Sequence, residues 1–223
     1  MTTKKGVAFC WLIVILITLV GCQEEAPTPA ETTTFQPETP APQPTTEIEL
    51  TADAYMDSGL AHFQQGDLAQ ALADFNKALE LDPNRADAYS ARGLVHRNLG
   101  KYEQAFADYN KALELDPNFA VAYINLGEAY FSLGKYEQVL ADYSKALELN
   151  PNYTLAYYNR GNAYFKLGEY EQAITDYSKA LELDPNFAVA YDDRGEAYSS
   201  LGKYEQAFAD YNKALELDRF VLS

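Results

Sequence analysis

Polar and apolar positions along most of this chain return on a fixed beat. In Thr154–Phe187 the residues Tyr157, Arg160, Gly161 and Tyr164 fall at i, i+3, i+4 and i+7. That spacing puts them on one face of a helix. Gly168 breaks the pattern, and Ala173, Ile174, Tyr177, Ala180 and Leu181 then share one face of a second helix. Asp184-Pro185-Asn186 closes the unit, because proline cannot continue a helix but suits the first turn of the next. The pattern predicts two helices of about 13 residues, each roughly 20 Å long. Neither is stable alone in water. Small Gly161, Ala173 and Ala180 let the backbones approach, and Tyr157, Tyr164 and Tyr177 fill the space left between them.

The unit is one of a tandem array. Ala120–Tyr153 repeats the plan, and Pro83, Pro117, Pro151 and Pro185 recur every 34 residues, the length of a two-helix repeat. Five copies align, at 52–85, 86–119, 120–153, 154–187 and 188–221. The third reads Tyr123, Leu126-Gly127, Tyr130, Val139, Tyr143, Ala146 and Pro151. At these residues the chain resembles the tetratricopeptide repeat family. Some positions depart from that pattern. His62 and His96 stand where tyrosine is usual, Arg92, Arg160 and Arg194 where leucine is usual, and Arg219 where the fifth proline is expected. The resemblance implies an all-α fold, a right-handed α-solenoid of helix-turn-helix units whose first helices line the concave side. Such an array is stabilised by contacts between neighbours rather than by one central core.

Two further segments precede the repeats. Residues 1–21 carry Lys4-Lys5, the apolar run Val7–Val20, then Gly21. The run spans about 21 Å as a helix, short of a hydrocarbon core of about 30 Å, so it suits a signal peptide better than a membrane span. Leu19-Val20-Gly21-Cys22 resembles a bacterial lipobox. That resemblance implies cleavage before Cys22, a diacylglycerol thioether on its sulfur and an acyl chain on its nitrogen. Several acyl chains anchor firmly, each buried methylene contributing about 0.8 kcal/mol. Residues 22–50 are rich in Pro, Thr, Glu and Ala, with almost no apolar positions and no helical period. They are expected to form a disordered tether of polyproline II character, reaching about 85 Å when fully extended at about 3.1 Å per residue. The repeat domain is then 51–223, held on the extracytoplasmic side of a bacterial envelope membrane.

Charge and composition narrow the function. The formal net charge is −16 and the isoelectric point near 4.4. An acidic chain repels phosphate backbones, so nucleic acid is not an expected partner. Much of the charge is solvated helix surface, as at Lys77/Glu80 and Lys111/Glu114. The two cysteines are Cys10 and Cys22, which leaves the repeats without a disulfide or a cysteine metal site. No nucleophile–base pair, phosphate loop or metal cluster is apparent. Glu103, Glu137, Glu171 and Glu205 recur once per repeat at a helix start, where the dipole favours them. No enzyme activity, cofactor or metal is expected. Two histidines, His62 and His96, occupy equivalent places in adjacent repeats without a third ligand.

The residues free to bind are those on the first helices that packing does not need. Both ends of this surface read as acidic, with Asp53, Asp57 and Asp87 at one and Asp192, Asp193 and Glu196 at the other. The middle offers Ile124, Phe131, Tyr158 and Phe165 beside Asn125, Asn159 and Asn162. An amide side chain donates and accepts together, so an asparagine ladder can hold an extended backbone while aromatic pockets supply most of the affinity. These seven residues are the expected peptide-binding groove. The resemblance does not extend to the family members that clamp a peptide's terminal carboxylate, because Ile124, Glu128, Val189 and Asp193 occupy the clamp positions around Asn159. Arg92, Arg160 and Arg194 each have an aspartate sixteen residues on, Asp108, Asp176 and Asp210, and are expected to form structural pairs. The array ends without the polar terminal helix that repeats usually need. Phe208, Tyr211 and Leu215 are expected to lie bare and to support a homodimer through repeat five, unless the Phe220–Leu222 tail covers them.

The expected function is a membrane-anchored protein–protein interaction scaffold that serves assembly of an envelope complex. The alternative is an adaptor that delivers substrates to an envelope enzyme such as a protease. The resemblance extends to envelope lipoproteins with such repeats, which act in both ways.

Overall fold

The computed structural model describes residues 51–221, with side chains through Asp218. The expectations for the signal segment, Cys22 and the linker fall outside the described residues. Ten α-helices follow one another, and the described residues contain no strand. They form five pairs: α1 (Ala52–Gln64) with α2 (Leu68–Leu81), α3 (Ala86–Asn98) with α4 (Tyr102–Leu115), α5 (Ala120–Ser132) with α6 (Tyr136–Leu149), α7 (Thr154–Lys166) with α8 (Tyr170–Leu183), and α9 (Ala188–Ser200) with α10 (Tyr204–Val221).

Each helix packs on the next one, so the core runs along the array as a file of small clusters. The first helices also touch one another, α1 with α3, α3 with α5 and α7 with α9, whereas the second helices make no comparable contact. First helices that lie closer together than second helices curve the stack. The first helices therefore form its inner wall, and the fold is the α-solenoid expected.

Local chemistry explains where each helix stops. Gly168 takes φ 79° between α7 and α8, a conformation that an L side chain adopts only with strain. At the end of α8, Asp184 Oδ1 accepts the Asn186 amide at 3.0 Å, and Pro185 removes the donor that a further turn would need. Asp82, Asp116 and Asn150 repeat this turn. Repeat five has Arg219 in place of proline, and α10 duly continues to Val221, 18 residues against the 14 of its counterparts. Up to that point the tail extends the helix and does not fold back over it.

The close approach within each pair rests on glycine facing tyrosine. A Cβ built on Gly161 would sit 2.8 Å from the Tyr177 ring, and that ring is 1% exposed with nowhere to go. Gly161→Ala is expected to cost about 2 kcal/mol, the range for overpacking a filled core. Gly127→Ala should cost less, since Tyr143 lies 3.2 Å away there. Urea denaturation of both variants checks the order.

The expected Arg–Asp pairs are present and bidentate. Arg160 donates from Nε and Nη2 to Asp176 at 2.7 and 2.8 Å. Arg92 does the same to Asp108, and Arg194 to Asp210. The third donor, Nη1, reaches back to the preceding repeat, to Asn76, Ser144 and Ser178 respectively. Each arginine thus ties its own hairpin shut and staples it to its neighbour. Repeat one satisfies the equivalent Asp74 differently, through Ser58 Oγ at 2.7 Å and His62 Nδ1 at 2.8 Å. His96 lies 3.7 Å from Asp108. The two histidines are each turned to the aspartate of their own repeat, and no group among the described residues is arranged to hold a metal.

Candidate functional site

The inner wall carries two adjoining pockets. The larger encloses about 460 Å³ and is lined by Arg97, Asn98, Tyr102, Glu128, Phe131, Ser132, Tyr143, Asn159 and Asn162. The smaller encloses about 180 Å³ and is lined by Phe131, Asn162, Phe165, Lys166, Tyr177, Asp193 and Glu196. Phe131 and Asn162 belong to both, so the two form one trough running from repeat two to repeat five.

Helical spacing explains the lining. Glu128, Phe131 and Ser132 lie on one face of α5, and Asn159, Asn162, Phe165 and Lys166 continue it on α7. The second helices contribute through their large residues. Tyr143 of α6 reaches past the small side chains of the first helices to the trough floor, and Tyr177 of α8 donates its hydroxyl to Asn162 Oδ1 at 2.7 Å. Burial pushes both phenols well above their ordinary range, so they remain neutral donors at any physiological pH. The Phe131 ring meets Tyr136 edge-on at 5.4 Å, and Phe165 meets Tyr170 in the same way at 5.2 Å. The two phenylalanines are thereby propped by tyrosines that open the second helices.

Of the seven residues expected in the groove, Phe131, Asn159, Asn162 and Phe165 line the pockets. Three do not. Ile124 is 8% exposed and packs in the core with Val139, Tyr143 and Ala146. Its neighbours on α6 claim the side chain before any ligand can. Asn125 donates to Ser90 Oγ at 3.1 Å, linking α5 to α3 rather than facing the trough. Tyr158 donates to Asp193 Oδ2 at 2.6 Å and packs its ring on Phe187, linking α7 to α9. Residues one repeat plus one position apart meet across adjacent first helices, and this register decides which polar side chains are used up internally.

The charges at the two ends are partly paired. Arg85, just before α3, binds both Asp53 and Asp87, which offsets one of the three acidic charges at that end. Arg97 is paired with Glu128 on the wall of the larger pocket. At the other end Asp193 is half-buried, and burial raises its carboxyl above the ordinary value, with nearby Asp192 adding to the shift and the Tyr158 hydrogen bond opposing it. Glu196 and Lys166 both line the smaller pocket. Both ends keep an excess of acidic groups, as expected.

The far side of repeat five is bare, as expected at Phe208 and Leu215, which are 68% and 62% exposed. Tyr204 is exposed as well, while Tyr211 is half-buried. In repeat two the equivalent Tyr102, Phe106 and Leu113 are partly buried under the next repeat, and Phe106 stacks on Tyr130 at 4.6 Å.

Comparison with known proteins decides the family. The profile described as tetratricopeptide repeat matches residues 154–187 and 188–220, and a second, described as TPR repeat, matches 59–100, 95–134 and 127–168. The chain belongs to the tetratricopeptide repeat family. Among solved structures, the tetratricopeptide array is similar to MamA at 32% identity and a TM-score of 0.69, covering 75% of this chain and 98% of that one. It is also similar to PilF of Pseudomonas aeruginosa at 27% identity and a TM-score of 0.69, covering 74% of this chain and 75% of that one. MamA residues 41 to the end from Desulfovibrio magneticus RS-1, at 24% identity and a TM-score of 0.69, shares the fold over 75% of this chain and 95% of that one. A search of curated proteins found no match.

Proposed function

We propose that this chain is a membrane-anchored interaction scaffold that binds an extended segment of a partner protein along its inner wall and performs no chemistry itself. The observation that carries the reading is the continuous trough. Phe131 and Asn162 join two pockets into a channel that combines aromatic walls with amide groups. Aromatic side chains in a partly desolvated cleft supply affinity, and amides satisfy a bound backbone without demanding a particular sequence. An aromatic or apolar side chain suits the Phe131 wall that the two pockets share, and a basic residue suits the Asp193–Glu196 end. A photo-crosslinking residue placed at Ser132, an exposed position on the pocket rim, should capture the partner in cells. The same probe at exposed Glu137, on a second helix, should capture little; equal capture at both positions would remove the support for the trough.

In the same proposal the array is held at an envelope membrane through lipid on Cys22, where it serves assembly of an envelope complex. The support is the apolar run ending in Leu19-Val20-Gly21-Cys22. Cys22→Ala should move the protein from the membrane to the soluble fraction, read by fractionation of cells, and retention at the membrane would sink the anchor. The released variant also allows the mass in solution to be measured. A dimer that reverts to monomer on Phe208→Glu supports self-association through the bare face of α10, and a monomer at high concentration removes it.

A further inference from the structure

One position breaks the internal symmetry of the array. Five aspartates stand in register on the second helices, at 74, 108, 142, 176 and 210. Four of them accept hydrogen bonds from their own repeat, Asp74 from Ser58 with His62 close by, and Asp108, Asp176 and Asp210 from arginine. Repeat three has Leu126 at the arginine position, and Leu126 is 6% exposed and offers no donor. Asp142 is half-buried, and its Oδ2 is buried with no hydrogen-bond partner among the described residues. The staple to the preceding repeat is missing at the same place.

We propose that repeat three is a proton-sensitive joint in the array, closed when Asp142 carries a proton and loosened when it is ionised.

Most ionisable groups on the helices packed against α6 are engaged elsewhere, and Lys166 of α7 lies over the Phe165 ring. On α5, Glu128 is paired with Arg97, the Tyr123 hydroxyl lies 3.4 Å from the Pro117 carbonyl, and Tyr130 lies under Lys135. On α7, Arg160 is committed to Asp176 and Ser144, and Tyr158 to Asp193; Tyr157 lies under the Arg160 guanidinium, and Tyr164 is half-buried. On α6 itself, Lys145 is paired with Glu148. Burial alone therefore acts on the Asp142 carboxyl and raises it from an ordinary 3.8 to about 7. A carboxyl held protonated by the fold makes the folded state bind more protons than the unfolded chain. Its contribution is complete below about pH 4, falls away as pH rises to about 7, and is constant above. Charge placed on a buried oxygen without a partner is relieved by letting water in. In a repeat array that opening stays local, because each unit contacts only its neighbours. The joint lies behind the trough, since α5 and α6 also carry Glu128, Phe131 and Tyr143.

The test needs no ligand and so stands apart from the proposed binding role. Carbon-detected NMR of the Asp142 side chain in the full chain should show a titration midpoint near 7. Hydrogen-exchange protection of α5 and α6, corrected for intrinsic rates, should fall roughly 25-fold between pH 5.5 and 7.5, while α7 and α8 hold steady. Asp142→Asn should keep α5 and α6 protected across that range. Leu126→Arg should install the missing pair and move the midpoint below 5. If the arginine variant does not fold, the asparagine variant decides the matter alone. A wild-type midpoint below 5, or a wild-type protection profile parallel to that of Asp142→Asn, overturns the proposal.

Discussion

Replacing Arg160 with leucine is expected to lower the stability of the array by about 3 kcal/mol, the cost of stranding one member of a buried ion pair. Asp176 is 4% exposed and receives two of its hydrogen bonds from that one guanidinium. The substitution also removes the Nη1 bond to Ser144, and with it the staple between repeats three and four. Adding Asp176→Leu should recover most of the loss, because the pair as a whole need not add net stability even though each half depends on the other. Arg160→Lys should recover little. A single ammonium cannot match a planar fork that makes three bonds in two directions. By contrast, Lys179→Ala should change stability by less than about 0.5 kcal/mol, since its pair with Glu182 lies on the surface. Equilibrium urea unfolding at pH 7.5 reads all four variants, and an Arg160→Leu curve that overlays the wild type would refute the pair's structural role.

The second large effect is expected in binding. Phe131→Ala should weaken the captured partner segment about 30-fold, roughly 2 kcal/mol, because central aromatic side chains dominate such interfaces. Phe131 is the wall shared by both pockets, so its loss empties the middle of the trough. Its ring is half-buried and rests edge-on against Tyr136, so the folded array should tolerate the change far better than it tolerates Arg160→Leu. Asn159→Ala should weaken binding more modestly by removing one amide from the trough. Asn125→Ala should leave affinity unchanged, its amide being spent on Ser90. Calorimetric titration with the segment recovered from crosslinking gives the three values. Equal losses from Asn125→Ala and Phe131→Ala would mean that the partner does not lie in the trough.

Much of this molecule is legible in its sequence. Two helical periods per 34 residues, broken by Gly168 and closed by Asp184-Pro185-Asn186, state the helix-turn-helix unit, because backbone stereochemistry acts within a few residues. The sixteen-residue spacing from Arg160 to Asp176 was equally informative, since it spans one hairpin whose geometry the repeat itself dictates. Arg219 stands where the other repeats have proline, and α10 runs on past its counterparts. The helix face of Ile124, Asn125 and Tyr158 points to the groove, but a helix face says nothing of contacts beyond the edge of one unit.

What lay beyond the sequence is whatever depends on contacts between units. Ser90 takes Asn125, Asp193 takes Tyr158, and Arg85 takes Asp53 and Asp87. None of these could be foreseen without the rise and turn from one repeat to the next. Tyr102 and Tyr143 entered the trough from the second helices for the same reason: a large side chain can pass between small ones only at one particular stacking angle. Local spacing determined the repeat, its turns and its internal ion pairs. The packing of repeat on repeat decided which side chains remain free, since a polar group bound by a neighbour and one left open to a partner look the same along the chain.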